Sequence, residues 1–381
     1  MENSVAAKRN YGIDLMKVLS MIMIVILHVL KQGGILDLVT ADMPQFYVAW
    51  FLELSAYCAV NCFAMATGYL MVGHRFRYRK IVGLWLTVQY YNVIFFLFER
   101  FILEREISKA AILTFFPIFS GEYWYFTAYF CMFLFIPFIN TMIEHLSKKS
   151  LYRLLLTGFL IFSLALIVFQ HDSFKLSGGY SAVWLTYLYF VGAAIKKYGL
   201  FLKISAPKAL LGYFGSVGIS FAAKCLDGNA ELNDWGLLGT HIEIYTPQFV
   251  NYLAPTIFAA GIFLMLFCLK LKIPKFFGEL LGVLQPLVFQ VYIIHLHRVI
   301  WNGLMYKRFE SYVEASPLRM GVYVVATALL IFEACILMDF VRNALFKRCK
   351  VNKLIDKAAD KLVAWNEKKQ TAQENVKYIE Q

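Results

Sequence analysis

Ten apolar runs joined by short polar connections dominate this 381-residue sequence. They lie near residues 11–31, 45–71, 81–102, 123–143, 151–170, 180–198, 207–224, 248–270, 280–303 and 318–345. About 20 apolar residues cross a bilayer as a helix. Only helices and closed barrels satisfy their own backbone groups in hydrocarbon. The expected fold is therefore all-α, a polytopic transmembrane bundle of about ten helices. Composition agrees: 60% of residues are hydrophobic and 16% charged, against about 25% charged in soluble globular domains. That is too little charge to cover a soluble surface, which excludes a disordered chain or a simple cytosolic enzyme. The stretch 107–119 is too short to span and is expected to lie in the interface or re-enter. The first run is long, polar-studded and without a small-residue cleavage site, so it reads as a retained helix rather than a leader.

Lys and Arg outnumber Asp and Glu by 37 to 25, a net charge of +12. The bases fall in alternate loops: Lys8 and Arg9, the Arg75–Lys80 cluster, Lys148 and Lys149, Lys196 and Lys197 with Lys203 and Lys208, Lys270 with Lys272 and Lys275, then Arg342–Lys353. This is a topology signal rather than a nucleic-acid face, and it places both termini in the cytoplasm. On the opposite side the loop 225–247 carries Asp227, Glu231, Asp234 and Glu243. Seven cysteines are scattered without ligand spacing; they read as small buried apolar residues, and no metal is expected. The domain reading is a transmembrane unit over 1–345 and a charged cytoplasmic tail over 346–381. In the tail, Leu354, Ala358, Leu362 and Trp365 recur at roughly helical spacing. A helix on the membrane surface or the cytoplasmic face and a solvated tail both fit that pattern.

Ionisable groups inside a span are costly, so each is a candidate for function. The first run carries Asp14, Lys17, Ser20 and His28. Lys17 and His28 are separated by roughly three turns, about 16 Å, within about 20° of one face. Asp14 stands one turn before Lys17, where it can neutralise it. Taken singly, the histidine reads equally as a packing residue and the lysine as one that snorkels to the interface; their alignment favours a shared path. Glu53, Tyr57 and Asn61 form an i, i+4, i+8 stripe that must face protein or water. Gly68 suits a close helix crossing or a bend. Arg77, Arg79 and Lys80 read as a topological anchor or, with their forked donors, as phosphate ligands. Gln89 and Asn92 suit hydrogen bonding between helices, and Trp124 an interfacial aromatic belt. Pro137 and Pro286 mark expected kinks. Tyr292 and His295 share a face that His297 does not, which argues against a metal pair. Glu333 and Asp339 face a polar cavity or pair with Arg342.

The order of these motifs resembles the membrane-bound acyltransferase 3 family over roughly residues 9–345. RNYGIDLMKVLSMIMIVILH resembles its first helix, where a base precedes a histidine with ten residues between, here Lys17 and His28. VNCFAMATGYL, RFRYRKI, EYWYFTAYFCMFLFIPFIN, FVGAAIKKYG and VYIIH resemble its later segments. Lys17 stands where many members have Arg, Thr67 where Ser is usual, and R-x-R-x-R-K replaces a cleaner pair of arginines. The resemblance implies an acyltransferase of the bacterial cytoplasmic membrane. It would move an acetyl (acyl) group from cytoplasmic acetyl-CoA (acyl-CoA) to a hydroxyl of a cell-envelope saccharide or lipid-linked oligosaccharide, with no soluble hydrolase-like domain attached. It implies catalytic roles for His28, Lys17 and Asp14, CoA-phosphate binding by Arg77, Arg79 and Lys80, and acceptor contacts by Glu53, Tyr57, Asn61, Trp124 and His295. His28 would act as a general base or carry the acyl group, and an ordinary imidazole pKa of about 6.5 suits both. Membrane lipids are expected neighbours, nucleic acid is not a partner, and a homo-oligomer is compatible. A secondary transporter or lipid-linked-sugar flippase is the alternative, disfavoured by the lack of an evident inverted repeat.

Overall fold

The computed structural model describes residues 9–74 and 76–364. Ten main helices are numbered in chain order: α1 Tyr11–Lys31, α2 Pro44–Met71, α3 Tyr78–Ile102, α4 Trp124–His145, α5 Lys148–Phe169, α6 Ala182–Tyr198, α7 Ala206–Leu232, α8 Pro255–Lys270, α9 Lys275–Leu296 and α10 Pro317–Arg348. Among the described residues, eight are long and apolar enough to cross a membrane. The other two, α6 and α8, have 17 and 16 residues. At 1.5 Å per residue they measure about 24–26 Å, short of a hydrocarbon core of about 30 Å. Length and composition thus support eight of the ten expected spans, and local signals make α6 and α8 the two shorter helices. Ser181 accepts from Trp184 N to start α6, and Gly199 at φ +68° ends it. Pro255 opens α8, and the Lys270–Pro274 stretch closes it. The capping is chemically ordinary elsewhere too: the Asn10 side chain accepts from Gly12 N at 3.0 Å to begin α1.

α1 is the central strut, packed against α2, α8, α9 and α10. At one end of the bundle, Tyr198 donates to Leu146 O, Asn140 to Met71 O, and Arg79 meets Asp356. At the other, Lys307 N donates to Gln32 O, Tyr252 N to Gly178 O, and Gln45 to Val313 O and Ala315 O. Segment 107–119 lies at this second end as two short helices, Lys109–Leu113 and Pro117–Ser120. Gln89 and Asn92 of α3 hold it by donating to Phe115 O and Thr114 O, so their hydrogen bonds tie down a connection rather than a neighbouring helix.

Several expectations need amendment. The acidic stretch 225–247 is not an open loop: α7 continues to Leu232 and a helix follows at Gly236–Tyr245. Of the cysteines, Cys58, Cys62, Cys268 and Cys335 are buried, but Cys131 and Cys349 are exposed. Pro286 falls in a 3₁₀ turn that divides α9, whereas α4 remains helical through Pro137. Residues 351–364 form a tail helix that buries Ile355 and Ala359 and leaves Leu354 and Leu362 exposed. Its docked face is therefore one position away from the apolar stripe read from the sequence. Trp365, Lys8 and Arg75 lie outside the described residues.

The tightest helix crossing is between α2 and α6. A Cβ on Gly68 would sit 2.0 Å from Tyr189 O, and one on Gly192 1.9 Å from Met65 O. Both obstacles are backbone atoms, so no side-chain rotation relieves them. Gly68→Ala and Gly192→Ala are each expected to destabilise the protein by about 1–3 kcal/mol or more, read as a lower melting temperature of purified protein in detergent. Wild-type melting in both variants would show that the helices are not this close.

Candidate active site

Asp14 sits in the first turn of α1, where it meets Arg9 rather than Lys17. Arg9 Nε donates to Asp14 Oδ2 at 2.6 Å and Nη2 to Gly282 O at 3.2 Å. The bond to Asp14 raises the Arg9 pKa. The pairing read from the sequence is thus corrected: Asp14 fastens the chain entry to α9. Among the described residues, no carboxylate lies within 4.0 Å of the Lys17 ammonium. Lys17 instead lines a cavity of about 250 Å³ with Lys80, Thr67, Tyr125, Tyr129 and Gln290. Here two cations face one space, an arrangement that favours an anion.

The three bases after α2 diverge in role. Lys80 reaches this cavity and donates to Met71 Sδ at 3.1 Å. Arg77 is exposed at the start of α3. Arg79 is engaged by Asp356 of the tail helix, which also brings Ile355 toward Gly83 of the cavity wall.

A line of rings leads from the cavity to His28. Tyr129 stacks on Tyr125 (centroids 5.8 Å apart), Tyr125 meets Tyr292 edge-on at 5.8 Å, and Tyr292 faces His295 at 6.4 Å. His28 Nδ1 and His295 Nε2 lie 2.9 Å apart. This pairing is invisible in sequence because 267 positions separate the partners. His295 Nδ1 also bonds Val291 O. A carbonyl only accepts, so Nδ1 of His295 carries a hydrogen. With both rings neutral, His295 Nε2 then holds the lone pair and accepts from His28 Nδ1–H. The remaining nitrogen, His28 Nε2, is left with a free lone pair. Trp301 packs edge-on against the His28 ring at 5.1 Å, and His28 keeps partial exposure. His295 is fully buried with both nitrogens engaged. Its two nitrogens are thus taken up by His28 and Val291 O in this structure. His297 is turned elsewhere and stacks on Phe95 at 4.3 Å.

The remaining acceptor candidates divide. Tyr57, Trp124, Tyr180 and Tyr252 form an aromatic cluster: Trp124–Tyr180 centroids are 4.4 Å apart, Tyr180–Tyr252 5.0 Å, Tyr57–Tyr252 5.1 Å, and Trp124 stacks on Tyr252 at 5.9 Å. Trp124 is thus part of a packed aromatic group. Glu53, one turn before Tyr57, is buried, and its Oε2 has no hydrogen-bond partner among the described residues. Leaving such an atom unpaired costs about 1–3 kcal/mol, which a hydroxyl-bearing ligand would recover. Asn61 is fully buried and accepts from Trp184 Nε1 while donating to Tyr252 O, both at 3.0 Å. Its amide thereby ties the cluster to α6.

Sequence reading missed other charged residues at the His28 end. Glu99, buried at the end of α3, pairs with Arg298 and lies 3.6 Å from Arg105. Their only signal was charge within or beside apolar runs. Asp339 accepts from Tyr91 at 2.7 Å and from Arg342 through both oxygens. It therefore takes the pairing alternative, while Glu333 is exposed on α10. Among the described residues no group of three or more His, Cys, Asp or Glu is placed to hold a metal.

A family model described as an acyltransferase domain matches residues 10–338. No curated protein and no solved structure matches the chain. The match runs from the N-cap of α1 into the last turns of α10, taking in the cavity, the histidine pair and the aromatic cluster. The chain belongs to the acyltransferase 3 family.

Proposed function

We propose that this protein is an integral-membrane O-acyltransferase that moves acetyl from cytoplasmic acetyl-CoA to a hydroxyl of a cell-envelope saccharide on the opposite face. The observation that carries this reading is the hydrogen-bond relay that leaves His28 Nε2 unprotonated, at the far end of the helix that presents Lys17. The family membership supports acyl-CoA as donor, and the alternating basic loops support a cytoplasmic position for the Lys17 end. In this reading Lys17 and Lys80 attract the phosphates of CoA, with Arg77 at the rim, and the thioester arm follows the ring-lined path toward His28. The acceptor sugar stacks on Tyr57, Trp124, Tyr180 and Tyr252, and a hydroxyl satisfies Glu53.

His28 Nε2 takes the proton of the acceptor hydroxyl as its oxygen attacks the thioester carbonyl carbon. The carbon–sulfur bond then breaks, and the imidazolium returns its proton to the departing thiolate, so the products are the acetyl ester and CoA-SH. Such a base contributes about 10²–10⁴-fold. His295 is a positioning residue that holds the reactive tautomer.

The direct test supplies radiolabelled acetyl-CoA to inside-out vesicles and measures label on envelope carbohydrate. His28→Ala is expected to abolish transfer and His295→Ala to lower kcat about 10²-fold or more with little change in KM for acetyl-CoA. Wild-type transfer by His28→Ala would sink the mechanism, and label trapped on His28 would assign that nitrogen as the acyl carrier instead of the base.

Donor binding is separately measurable by titrating CoA against purified protein. Lys17→Ala and Lys80→Ala are each expected to weaken it about tenfold, as befits a charge-assisted contact of about 1.5–3 kcal/mol. Asp356→Asn, which releases Arg79 from an exposed pair, is expected to leave affinity unchanged or raise it up to about fivefold. Unchanged CoA affinity in both lysine variants would remove the cavity from the donor path.

A further inference from the structure

α9 runs in the same direction as α1. Arg9, just before α1, meets Gly282 early in α9; His28 then meets His295, and Gln32 meets Lys307 beyond the end of α9. Residues that follow His295 therefore lie farther from Lys17 than His28 does. Among them is Trp301, whose ring meets the His28 imidazole edge-on, with centroids 5.1 Å apart and planes at 81°. The Nδ1 edge of that imidazole is already closed by His295 at 2.9 Å. Seen from Lys17, Trp301 is the wall behind the base.

This wall is fixed from several directions. Trp301 N donates to His297 O at 2.8 Å, and its own carbonyl accepts from Tyr306 N at 2.9 Å, closing a single π-type turn over Trp301–Met305. Arg298, one turn earlier, pairs with the buried Glu99 of α3, and Met305 is buried. Lys307 N and Phe309 N donate to Gln32 O at 2.9 Å and Gly33 O at 3.0 Å, at the end of α1. The Phe309 ring fills the space beside Gly33, where a Cβ would sit 2.5 Å from it. The segment 297–309 is thus tied to α1, α3 and α9 around a ring that packs on His28. Single π-type turns occur frequently at functional sites. A group that selects by size must also be held in one position by its supports.

We infer that Trp301 is the residue that sets the length of the transferred acyl group, admitting acetyl and turning away longer chains. This rests on the acyl-transfer reading above and names the determinant of its donor specificity. In that reading the thioester sulfur arrives from the Lys17 end. At His28 the rest of the acyl group therefore extends from the carbonyl carbon in the opposite direction, toward the indole. Acetyl ends there in a methyl. Each further methylene has to push against a ring whose backbone is anchored on three helices, and such overpacking is costly.

The test compares kcat/KM for acetyl-CoA and butyryl-CoA, each radiolabelled in the acyl group, in inside-out vesicles carrying the full-length protein, with label on envelope carbohydrate as the readout. One methylene in a closed apolar site discriminates by about 10- to 200-fold, so the wild type is expected to favour acetyl over butyryl by about 100-fold or more. Trp301→Ala should bring that ratio to about fivefold or less, chiefly by raising kcat/KM for butyryl-CoA. Trp301→Phe keeps a packed but shorter ring and should give an intermediate ratio. Equal use of both donors by the wild type overturns the inference, and so does the wild-type ratio in both variants. Where the melting temperature shows that Trp301→Ala does not fold, Trp301→Phe decides: a lowered ratio supports the inference and the wild-type ratio overturns it. Failure of the underlying reading looks different. Transfer of neither group, or transfer that survives His28→Ala, strikes the acyl-transfer mechanism, whereas His28-dependent transfer with an unchanged ratio strikes the role of Trp301 alone.

Discussion

The interior of a bilayer offers no water to a polar side chain, so every polar group inside a span must find its partner in the protein or in a ligand. This constraint organises the molecule. Asp339 is claimed by Tyr91 and Arg342, Asn61 by Trp184 and Tyr252, and Asn140 by Met71 and Tyr189. The same requirement binds His28 to His295 and His295 to Val291. In the first cases the result is a brace. In the last it is a chemical state, because a chain of donors and acceptors ending on a carbonyl determines which nitrogen is left free.

The groups without partners are equally informative. Glu53 Oε2 and Tyr125 Oη are buried and unpaired among the described residues. Glu53 stands beside the aromatic cluster, and Tyr125 on the ring-lined path between the Lys17 cavity and His28. In the proposed reaction a ligand completes the hydrogen bonding of these two atoms; Ser20, Ser55, Asn92, Tyr123, His297 and Arg298 also each have a buried polar atom without a partner among the described residues. In the acyl-transfer reading proposed above, the donor comes to His28 past Tyr129 and Tyr125 and the acceptor over Trp124 and Tyr180.

Much of this was legible in the sequence because apolar runs of spanning length leave few alternatives, and because Lys17 and His28 share one helix. Helical geometry alone aligns them. The glycine at 68 could likewise be read as a close crossing. What could not be read were relations between helices. His295 becomes the partner of His28 only once α9 packs on α1. Arg9 displaces Lys17 as the partner of Asp14 because the chain before α1 folds back over α9. The lengths of α6 and α8 escaped the apolar count because their limits are set by a serine cap, a left-handed glycine and a proline rather than by hydropathy. The tail helix docks through Ile355 and Ala359 because the contact with Gly83 and the Arg79–Asp356 pair choose its face, and hydropathy alone does not.

The proposed reaction turns on one tautomer, so the most direct measurement is nitrogen NMR of the protein labelled with ¹⁵N in its histidine rings, with His28 assigned by its loss in His28→Gln. The hydrogen-bond relay predicts a protonated Nδ1 and an unprotonated Nε2 on His28, with the Nδ1 signal perturbed when His295 is replaced by Ala. A hydrogen found on His28 Nε2 in the resting protein would contradict it, because no base would then stand at the end of the path from Lys17.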